Sequence, residues 1–581
     1  MSASADDHAA ALAEARHALD RNDPGRAETL ARAVLDAAPE TAVAYHLLGQ
    51  ALLRQGRAAE AVPAFRAALR LEPDTVPHQR ALAQALEASG DHHAAYEAYH
   101  ALLIGDPGDV RARWTGGRLL PRVYRTTAEL PMWRERFTAG LGMLAATPLD
   151  TPEQAARALQ GIGLGTNFML SYQGEDDRAL QALWGRFVHR AVAVRRPDLV
   201  TPCPPPRPPD GRRLRVGYVS EHFWSHTIAL LFGHWVIQQD RERFEVYTYA
   251  VGGKRDASTE TFARRSDVFR DLRADSIVAA AGRIREDAPD VVVFPDLGMT
   301  PRSFVLAACR LAPLQCVSWG HPVTTGLPTV DVMLTSAAME PGGAEAHYTE
   351  RLVPLPRLGI YYVPNERQDG RRAAFGLPAD VPVYLCCQAL QKYLPDQDDL
   401  FARIAKAVPD ARFVFIQHQT ALAANESFRA RLAAAFAARD LDPERSLVFL
   451  PWQPWEDFLR LCGVCDVFLD SIGWSGGNTT LEALAQGIVP VTLPGRFMRG
   501  RHTMAMLRMM EMDSLIARDT DDYVTIAARL GRDPHERDHM RALVRERRDR
   551  LYKDTEAVRA LEAVYVREIA ALAASSSTAA V

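Results

Sequence analysis

The sequence has few cysteines, no long apolar run and no excess of one charge. Its 7 Cys show no CxxC…CxxC pattern and no paired framework, which excludes a disulfide-stapled fold and is typical of buried thiols in a reducing compartment. No stretch approaches about 18 consecutive apolar residues, so no transmembrane helix is predicted. The 68 Lys+Arg against 72 Asp+Glu give a net charge of −4, which disfavours nucleic acid as the main partner. The first residues lack the basic start and apolar core of a signal peptide, and we predict a cytoplasmic protein.

A period of 34 residues runs through the N-terminal part of the chain. It is carried by Pro39, Pro73 and Pro107, by Ala27, Ala61 and Ala95, by Leu35, Leu69 and Leu103, and by Gly56 and Gly90. Small residues at fixed positions and a closing proline resemble tetratricopeptide repeats, in which each unit is a pair of helices. About three units fit in residues 6–118, so we predict a repeat domain over 1–118. We predict that its groove is a docking surface for a protein or peptide. A role in domain packing or in a homodimer is an equally open alternative.

A helical connector and a proline-rich linker follow the repeats. Residues 119–200 are predicted to be mostly helical. The stretch TPCPPPRPPDGRR, residues 201–213, holds six prolines, which forbid a regular helix or a central strand. We therefore place a domain boundary there.

After this linker, short apolar strands alternate with helical segments, which is typical of parallel, doubly wound sheets. Strand candidates in the first lobe, residues 214–380, are LRVGYVS, FEVYTYAV, DVVVFPDL and LQCVSWGHP. Those in the second lobe, residues 381–570, are VPVYLCCQ, ARFVFIQH, SLVFLPW, DVFLDSI and IVPVTLPG. Residues 571–581 are assigned to a disordered tail. Because ligands bind outside the carboxyl ends of such strands, the two sheets can enclose a ligand cleft.

The stretch DSIGWSGGNTTLEALAQG, residues 470–487, follows an apolar strand and enters a helix. Its glycines permit a tight turn and its polar residues can cap the helix: Gly476, Gly477, Asn478, Thr479 and Thr480. The first-turn N–H groups and the helix dipole favour an anion such as a diphosphate. Glu482 either closes a capping box or accepts hydrogen bonds from ribose hydroxyls, and local sequence leaves these two alternatives even.

Single polar residues follow other predicted strands. Lys392, in QALQKYLPD, can neutralise phosphate charge without a metal, although a lone lysine is more often a surface residue. His222 and His226, in SEHFWSHT, are four residues apart and can share a helix face. Without an HExxH motif or a third ligand, acid–base chemistry or sugar binding is favoured over zinc. His321, in WGHPVTTGLP, ends a strand where α/β enzymes expose site residues, with a structural turn as the alternative.

The order of repeats, connector and two α/β lobes with these motifs resembles the SPINDLY and O-GlcNAc transferase family of protein glycosyltransferases, in particular its bacterial SPINDLY-like members. The resemblance covers nearly the whole chain and rests on LRVGYVSEHFWSHT, RLAPLQCVSWGHPVTTGLPTVD, HYTERLVPLP, DVFLDSIGWSGGNTTLEALAQG and VTLPGRFMRGRHTMAML. GHPVTTG is also similar to bacterial cytoplasmic N-glycosyltransferases. The resemblance implies a GT-B fold of two Rossmann-like lobes and a metal-independent, inverting transfer from a UDP- or GDP-sugar.

The resemblance also implies a role for each motif. On the donor side it places Lys392 on the leaving diphosphate, Asn478 and Thr479 at the phosphates, Glu482 on the ribose, and Phe458 at the uracil with Gln453 and Trp455 beside it. On the sugar and acceptor side it places His226, with His222 near it, and the loop that holds His321, Thr324 and Thr325. The sequence departs from the animal enzymes at Gly477 and His222, where they carry histidine and aspartate, and CCQALQK replaces an asparagine-rich strand end. These departures leave the sugar and the catalytic base open.

We therefore predict a glycosyltransferase without cofactor or metal. It would move a hexose of the GlcNAc type from a nucleotide sugar to Ser or Thr of a protein bound in the repeat groove. Two alternatives remain: a UDP-glucose-type N-glycosyltransferase acting on Asn, and a repeat-based interaction protein whose transferase lobes are inactive.

Overall fold

The structure is a computed structural model that describes residues 5–204, 206 and 211–578. The chain forms two compact units. The first contains Met1–Gly140, Ala389–Asp396 and Gln417–Ala434, and the second contains Leu141–Gln388, Gln397–Ile416 and Ala435–Val581. The boundary between them falls inside the predicted connector, and two short segments of the predicted second lobe belong to the unit that holds the repeats.

The first unit opens with three helix pairs, as the 34-residue period predicts. These helices are α1 (Ala5–Asp20), α2 (Pro24–Ala37), α3 (Ala42–Arg54), α4 (Ala58–Leu71), α5 (Val76–Ser89) and α6 (His92–Gly105). Ala27, Ala61 and Ala95 are fully buried, so adjacent helices approach closely at each of them. Gly90 ends α5 in the left-handed conformation, with a φ of 85°, which glycine adopts at little cost. The predicted repeats are confirmed.

Helices α7 (Glu129–Ala145), α8 (Pro152–Ile162) and α9 (Arg178–Arg195) form the connector, with a 3-10 turn at Phe168–Gln173 between the last two. The proline-rich stretch that follows is only partly described, because residues 205 and 207–210 lie outside the described residues. Helices are thus present over the predicted connector, and α8 and α9 belong to the second unit.

The first α/β lobe has a seven-stranded parallel sheet in the order β3-β2-β1-β4-β5-β6-β7. Its strands are β1 (Leu214–Ser220), β2 (Phe244–Ala250), β3 (Val268–Asp271), β4 (Val291–Phe294), β5 (Leu314–Ser318), β6 (Val332–Ser336) and β7 (Arg351–Leu355). The helices between them are α10 (Thr227–Ile237), α11 (Ala257–Arg265), α12 (Ile277–Glu286) and α13 (Pro301–Ala307). The sequence did not predict β3, β6 and β7. The residues of β3 are partly exposed, and those of β7 alternate between exposed and buried, so neither strand has the continuous apolar run of a central strand.

The second lobe has a five-stranded parallel sheet in the order β10-β9-β8-β11-β12. Its strands are β8 (Val383–Cys386), β9 (Arg412–Ile416), β10 (Leu447–Leu450), β11 (Val467–Leu469) and β12 (Val489–Val491). Its helices are α14 (Asp398–Ala407), α15 (Leu422–Ala437), α16 (Pro443–Ser446), α17 (Trp455–Val464), α18 (Asn478–Gln486), α19 (His502–Met509), α20 (Thr520–Arg532) and α21 (Pro534–Arg547). All five predicted strands are present, each shorter than its apolar run.

The last helix, α22 (Thr555–Thr578), returns to the first lobe. Glu562 accepts a hydrogen bond from the backbone N–H of Asp240 at 2.8 Å, and Tyr565 lies fully buried with its hydroxyl 3.5 Å from that of Tyr218. The predicted limit of the second lobe at residue 570 therefore does not hold. The helix also continues into the predicted disordered tail, because Ile569 and Ala573, one turn apart, are both buried. Residues 579–581 lie outside the described residues.

Within the described part of the chain, no helix is both long and apolar enough to cross a membrane. The seven cysteines are all free thiols, five of them buried, as the absence of a disulfide framework predicted. The cytoplasmic location and the homodimer remain predictions.

Candidate active site

Helix α18 begins at the glycine pair of SGGNTT without a side-chain cap. Gly477 occupies the cap position and makes no side-chain hydrogen bond, while Asn478 is already the first helical residue. The predicted capping by Asn478, Thr479 or Thr480 is therefore wrong, because these residues lie inside the first turn. An uncapped first turn keeps its N–H groups available to an anion.

Asp470, at the end of β11, holds the loop that leads into α18. Its buried carboxylate accepts hydrogen bonds from the Gly476 N–H at 2.8 Å, the Ser475 hydroxyl at 2.6 Å and the Thr492 hydroxyl at 2.7 Å. Burial raises the pKa of Asp470, and these hydrogen bonds oppose that rise. The loop geometry is thus fixed by one side chain that the sequence did not single out.

The two glycines of this loop have different surroundings. A Cβ at Gly476 would overlap the amide of Gln388 and the hydroxyl of Thr480, so a larger residue would have to displace these side chains. A Cβ at Gly477 would meet only the Nδ1 atom of His502, at 3.7 Å. His502 is buried and lies 5.5 Å from the Trp319 ring, measured between ring centroids. Gly477 therefore leaves room beside His502 at the entrance of α18.

Glu482 forms no capping box; it accepts a hydrogen bond from the indole N–H of Trp455 at 2.8 Å. Burial raises the pKa of Glu482, and hydrogen bonds from Trp455 and Asn478 oppose that rise. Half of the Trp455 surface is exposed, at 50%, so this anchored indole offers a flat apolar face to a ligand. The Tyr362 hydroxyl donates to Asn478 Oδ1 at 3.0 Å. The structure thus joins three predicted residues, Trp455, Asn478 and Glu482, into one network.

Phe458 and Gln453 lie near this network in sequence but have other contacts. Phe458 packs against the core of the second lobe, and the Gln453 side-chain amide donates to the Pro451 carbonyl at 2.7 Å. Their predicted place beside a nucleobase stays a prediction.

In the first lobe, His222 pairs with a buried carboxylate. Its Nδ1 atom contacts Asp296 Oδ2 in a short hydrogen bond, and Asp296 also accepts from the Ser220 hydroxyl at 2.7 Å. Asp296 is fully buried, whereas 11% of the His222 side chain is exposed. With Nδ1–H donated to Asp296, the neutral ring has its lone pair on Nε2. This arrangement fixes the orientation of the His222 ring and leaves Nε2 as its hydrogen-bond acceptor.

His226 lies at the N-cap of α10 in extended backbone, and His222 precedes that helix. The prediction that the two share a helix face is therefore wrong, yet their rings stack with centroids 4.2 Å apart. His226 Nδ1 accepts a hydrogen bond from the Ile228 N–H at 3.2 Å, so its proton is on Nε2. Burial, and next the closeness of the His222 imidazole, lowers the pKa of His226 to about 4. At neutral pH His226 is a hydrogen-bond donor through Nε2 rather than a base.

His321 lies deeper in the first lobe than predicted. It is 2% exposed, and its ring lies 5.0 Å from Phe168 and 5.9 Å from Trp474, between centroids. It borders a cavity of about 20 Å³ shared with Asn167, which has room for about one water molecule and none for a hexose ring. Its predicted contact with the sugar stays a prediction.

Thr324 and Thr325 belong to a buried hydrogen-bond cluster. The Thr324 hydroxyl donates to Glu350 Oε2 at 2.5 Å, and the N–H of Thr325 donates to Glu350 Oε1 at 2.7 Å. The Thr325 hydroxyl also donates to this carboxylate. These hydroxyls are buried and have a carboxylate partner, and their predicted contact with the sugar stays a prediction.

Lys392 belongs to the first compact unit, in the 3-10 turn Leu390–Lys392 that follows β8. Gln388, four residues before it in the sequence, lies beside Gly476 in the second unit.

The sequence did not predict several residues that contact the predicted site residues, among them Asp296, Asp470, Tyr362 and His502. Asp296, Tyr362 and His502 each contact a predicted residue across a long sequence separation, whereas Asp470 lies only six residues before Gly476.

No group of three or more His, Cys, Asp or Glu side chains in the described ranges is arranged to hold a metal ion. The polar residues brought together are instead an uncapped helix N-terminus, a tryptophan–glutamate pair, and two stacked imidazoles with a buried carboxylate. This set suits an anionic ligand and proton transfer.

Residues 203–369 and 362–553 match the family model for glycosyl transferase family 41, and residues 12–76 match a tetratricopeptide-repeat model. The chain belongs to glycosyl transferase family 41. The resemblance and the GT-B architecture predicted from the sequence are confirmed.

The chain is similar to plant and bacterial transferases. It is 28% identical over 343 residues to the probable UDP-N-acetylglucosamine–peptide N-acetylglucosaminyltransferase SPINDLY of Solanum lycopersicum, which covers 58% of this chain and 36% of that relative. It is 27% identical over 294 residues to the corresponding enzyme SEC of Arabidopsis thaliana, covering 49% and 29%. It is 23% identical over 261 residues to the UDP-glucose:protein N-beta-glucosyltransferase of Actinobacillus pleuropneumoniae, covering 44% and 40%. The chain thus spans well under half of each of these relatives.

Among solved structures, a mutant of the Thermobaculum terrenum O-GlcNAc transferase superposes with a TM-score of 0.68 and 28% sequence identity. The match covers 98% of each chain. The fold likeness therefore includes the helical N-terminal region as well as both α/β lobes.

The burial of His321 has a consequence for stability. Burial, and next the charge of Arg499, lowers the pKa of His321 from 6.5 to about 3. As the pH falls from 7 to 5, the unfolded chain takes up a proton at this position and the folded chain does not. We expect the free energy of unfolding to fall by about 2 kcal/mol from this residue alone. Urea titrations at pH 7 and at pH 5 measure this change in the free energy of unfolding.

The variant His321→Leu should lack this part of the pH dependence, whereas His17→Leu, at an exposed site on α1, should retain it. An unchanged difference between pH 7 and pH 5 in His321→Leu would contradict the assignment.

Proposed function

We propose that this chain is a metal-independent, inverting glycosyltransferase. It transfers a hexose of the GlcNAc type from a UDP-sugar to the hydroxyl of Ser or Thr in a protein acceptor. The names of the SPINDLY and SEC relatives and the Thermobaculum structure support this assignment. The observation that carries it is the uncapped N-terminus of α18 beside the Trp455–Glu482 pair.

The donor binds along the second lobe. Its diphosphate accepts hydrogen bonds from the N–H groups at Asn478–Thr480, where the helix dipole adds favourable potential. Glu482, fixed by Trp455, accepts from the ribose hydroxyls, and the exposed indole face packs against the nucleoside. Lys392 neutralises the charge that develops on the leaving diphosphate, the part of the reaction that needs electrostatic stabilisation.

The acceptor is activated from the first lobe. Its hydroxyl donates a proton to His222 Nε2 as its oxygen attacks the anomeric carbon, and the bond from that carbon to the diphosphate oxygen breaks. Asp296 holds the ring and stabilises the imidazolium that forms. His226 donates a hydrogen bond through Nε2 to orient the acceptor or the sugar. The base, which the sequence left open between two histidines, is thereby assigned to His222.

The acceptor is a polypeptide rather than a small glycan. The three helix pairs form a repeat array of the kind that presents an extended groove. A protein or peptide held in that groove stays bound to the enzyme while one residue is modified.

A donor panel with mass spectrometry of acceptor proteins tests the assignment. The enzyme is incubated with UDP-GlcNAc, UDP-glucose or GDP-fucose and a host protein extract, with and without EDTA. We expect N-acetylhexosamine on Ser or Thr from UDP-GlcNAc alone, at the same rate in EDTA.

Glucose on Asn would establish the N-glycosyltransferase alternative, which the Actinobacillus relative represents. Loss of transfer in EDTA would overturn the metal-free mechanism. No binding of UDP or GDP in calorimetry would favour an interaction protein with inactive lobes. Asp296→Asn serves as the matched inactive control, because it retains the shape of the side chain.

A further inference from the structure

The loop that carries Lys392 packs against the helical N-terminal region. Ala389–Asp396 forms one compact unit with the helical N-terminal region and with Gln417–Ala434. Its residues Leu390 and Tyr393, on either side of Lys392, are each 2% exposed. The lysine is therefore presented by a segment that is packed as part of the repeat unit.

Arg431, on α15, joins this loop to the helical region. Its Nη1 donates to the Tyr124 carbonyl at 2.6 Å and its Nη2 donates to the Tyr393 carbonyl at 2.7 Å. The guanidinium is a rigid fork, so the two bonds fix the separation of the two carbonyls. The Tyr393 ring also lies 5.5 Å from that of Phe428, between centroids. The residue directly after Lys392 is thus held to the segment that follows the repeats.

Arg122 makes a second connection on the other side of the lysine. Its Nη1 donates to Gln391 Oε1 at 3.3 Å. Burial, and next the charge of Arg122, lowers the pKa values of His92 and His418 to about 4, which places Arg122 near both. His92 is the first residue of α6, in the third repeat. Gln391 is therefore linked to the repeats through one arginine.

The third repeat also contacts the start of α15 directly. A Cβ at Gly90, the turn between α5 and α6, would lie 2.9 Å from the Ala421 Cβ, so this turn packs closely against the residues that begin α15. Contacts thus run from the third repeat to both neighbours of Lys392.

We propose that Arg431 is a positioning residue for Lys392, and that the helical N-terminal region sets the place of the lysine amine through it. This inference rests on the proposed role of Lys392 at the leaving diphosphate. Since a catalytic group misplaced by about 1 Å can lose on the order of 10²-fold in rate, the repeat region is a part of the transferase itself and not only an acceptor-docking module.

The experiment compares Arg431→Met and Arg431→Lys in the full chain. We expect Arg431→Met to lower kcat on the order of 10- to 100-fold, with the KM for the donor and the calorimetric Kd for UDP within a few-fold of the parent. Arg431→Lys should recover part of the loss, because an ammonium donates to one or both carbonyls. Arg445→Met is the matched control: Arg445 lies on the same lobe in an exposed ion pair with Asp410, and its loss should leave kcat unchanged.

A double-mutant cycle with Lys392→Met separates positioning from simple destabilisation. We expect Arg431→Met to cause no further loss of kcat when Lys392 is already methionine. An equal loss in both backgrounds, or a loss that follows the unfolded fraction in melting curves, would overturn the proposal. If Arg431→Met retained the parental kcat while Lys392→Met was inactive, only the positioning role of Arg431 would be overturned. An active Lys392→Met overturns the lysine role of the proposed function, and with it the basis of this inference.

Discussion

Replacing His222 with Gln is expected to lower kcat for transfer by about 10²–10⁴-fold, the range that general-base catalysis supplies. Glutamine has no group that accepts the acceptor proton at neutral pH, although it retains a hydrogen-bonding side chain beside Asp296. Asp296→Asn should show a loss of similar size, because an amide no longer fixes the imidazole with its lone pair on Nε2. Steady-state kinetics with UDP-GlcNAc and a peptide acceptor measure both.

Binding measurements separate this role from a structural one. Calorimetric affinity for UDP should stay within a few-fold of the parent in both variants, since we propose that the nucleotide binds to the second lobe. His234→Gln, at a histidine on α10 outside the proposed site, is the matched control and should retain activity. If His222→Gln transferred sugar at the parental rate, the assignment of the base would be wrong.

The second large effect is expected at Lys392. Lys392→Met removes the cation that we place on the leaving diphosphate while retaining the length of the side chain. We expect kcat to fall about 10²–10³-fold, equivalent to about 2.7–4 kcal/mol of transition-state stabilisation. A donor with a better leaving group than UDP should recover part of this loss, because less charge then needs stabilisation.

Lys406→Met is the control for charge alone, because Lys406 lies in the last turn of α14 in the same lobe. Activity of Lys392→Met within a few-fold of the parent, or an equal loss with both donors, would contradict the leaving-group role.

Much of the fold follows from local sequence patterns. The 34-residue period predicts the helix pairs because each repeat is one local unit that buries the same small residues, such as Ala27 and Ala61. The apolar runs predict the central strands because strands covered on both faces lack polar positions. The edge strand β3 and the alternating β7 were missed for the same reason.

The sequence predicted those parts of the candidate site that are formed by residues adjacent in the chain. The glycines and polar residues of SGGNTT indicate a helix entrance without reference to the rest of the chain, and α18 begins there. Gly476 is favoured for a reason that the local sequence does not show: the amide of Gln388 occupies the space of a Cβ. Trp455 and Glu482 were each predicted near the nucleoside, yet the hydrogen bond between them was not, because they lie on different helices.

The sequence by itself therefore determined the repeats, the two parallel sheets, the family and the entrance of α18, all of which depend on spacings of a few residues to a few tens of residues. Only the tertiary structure distinguished the two histidines, and its contacts support His222 as the proposed base. In the first sheet β1 pairs with β4 although β2 and β3 separate them in the chain, and this order brings Asp296 to His222. It also decided that Lys392 is packed with the repeat unit, through Arg431. Such contacts depend on strand order and helix packing, which the periodicity of single elements does not encode.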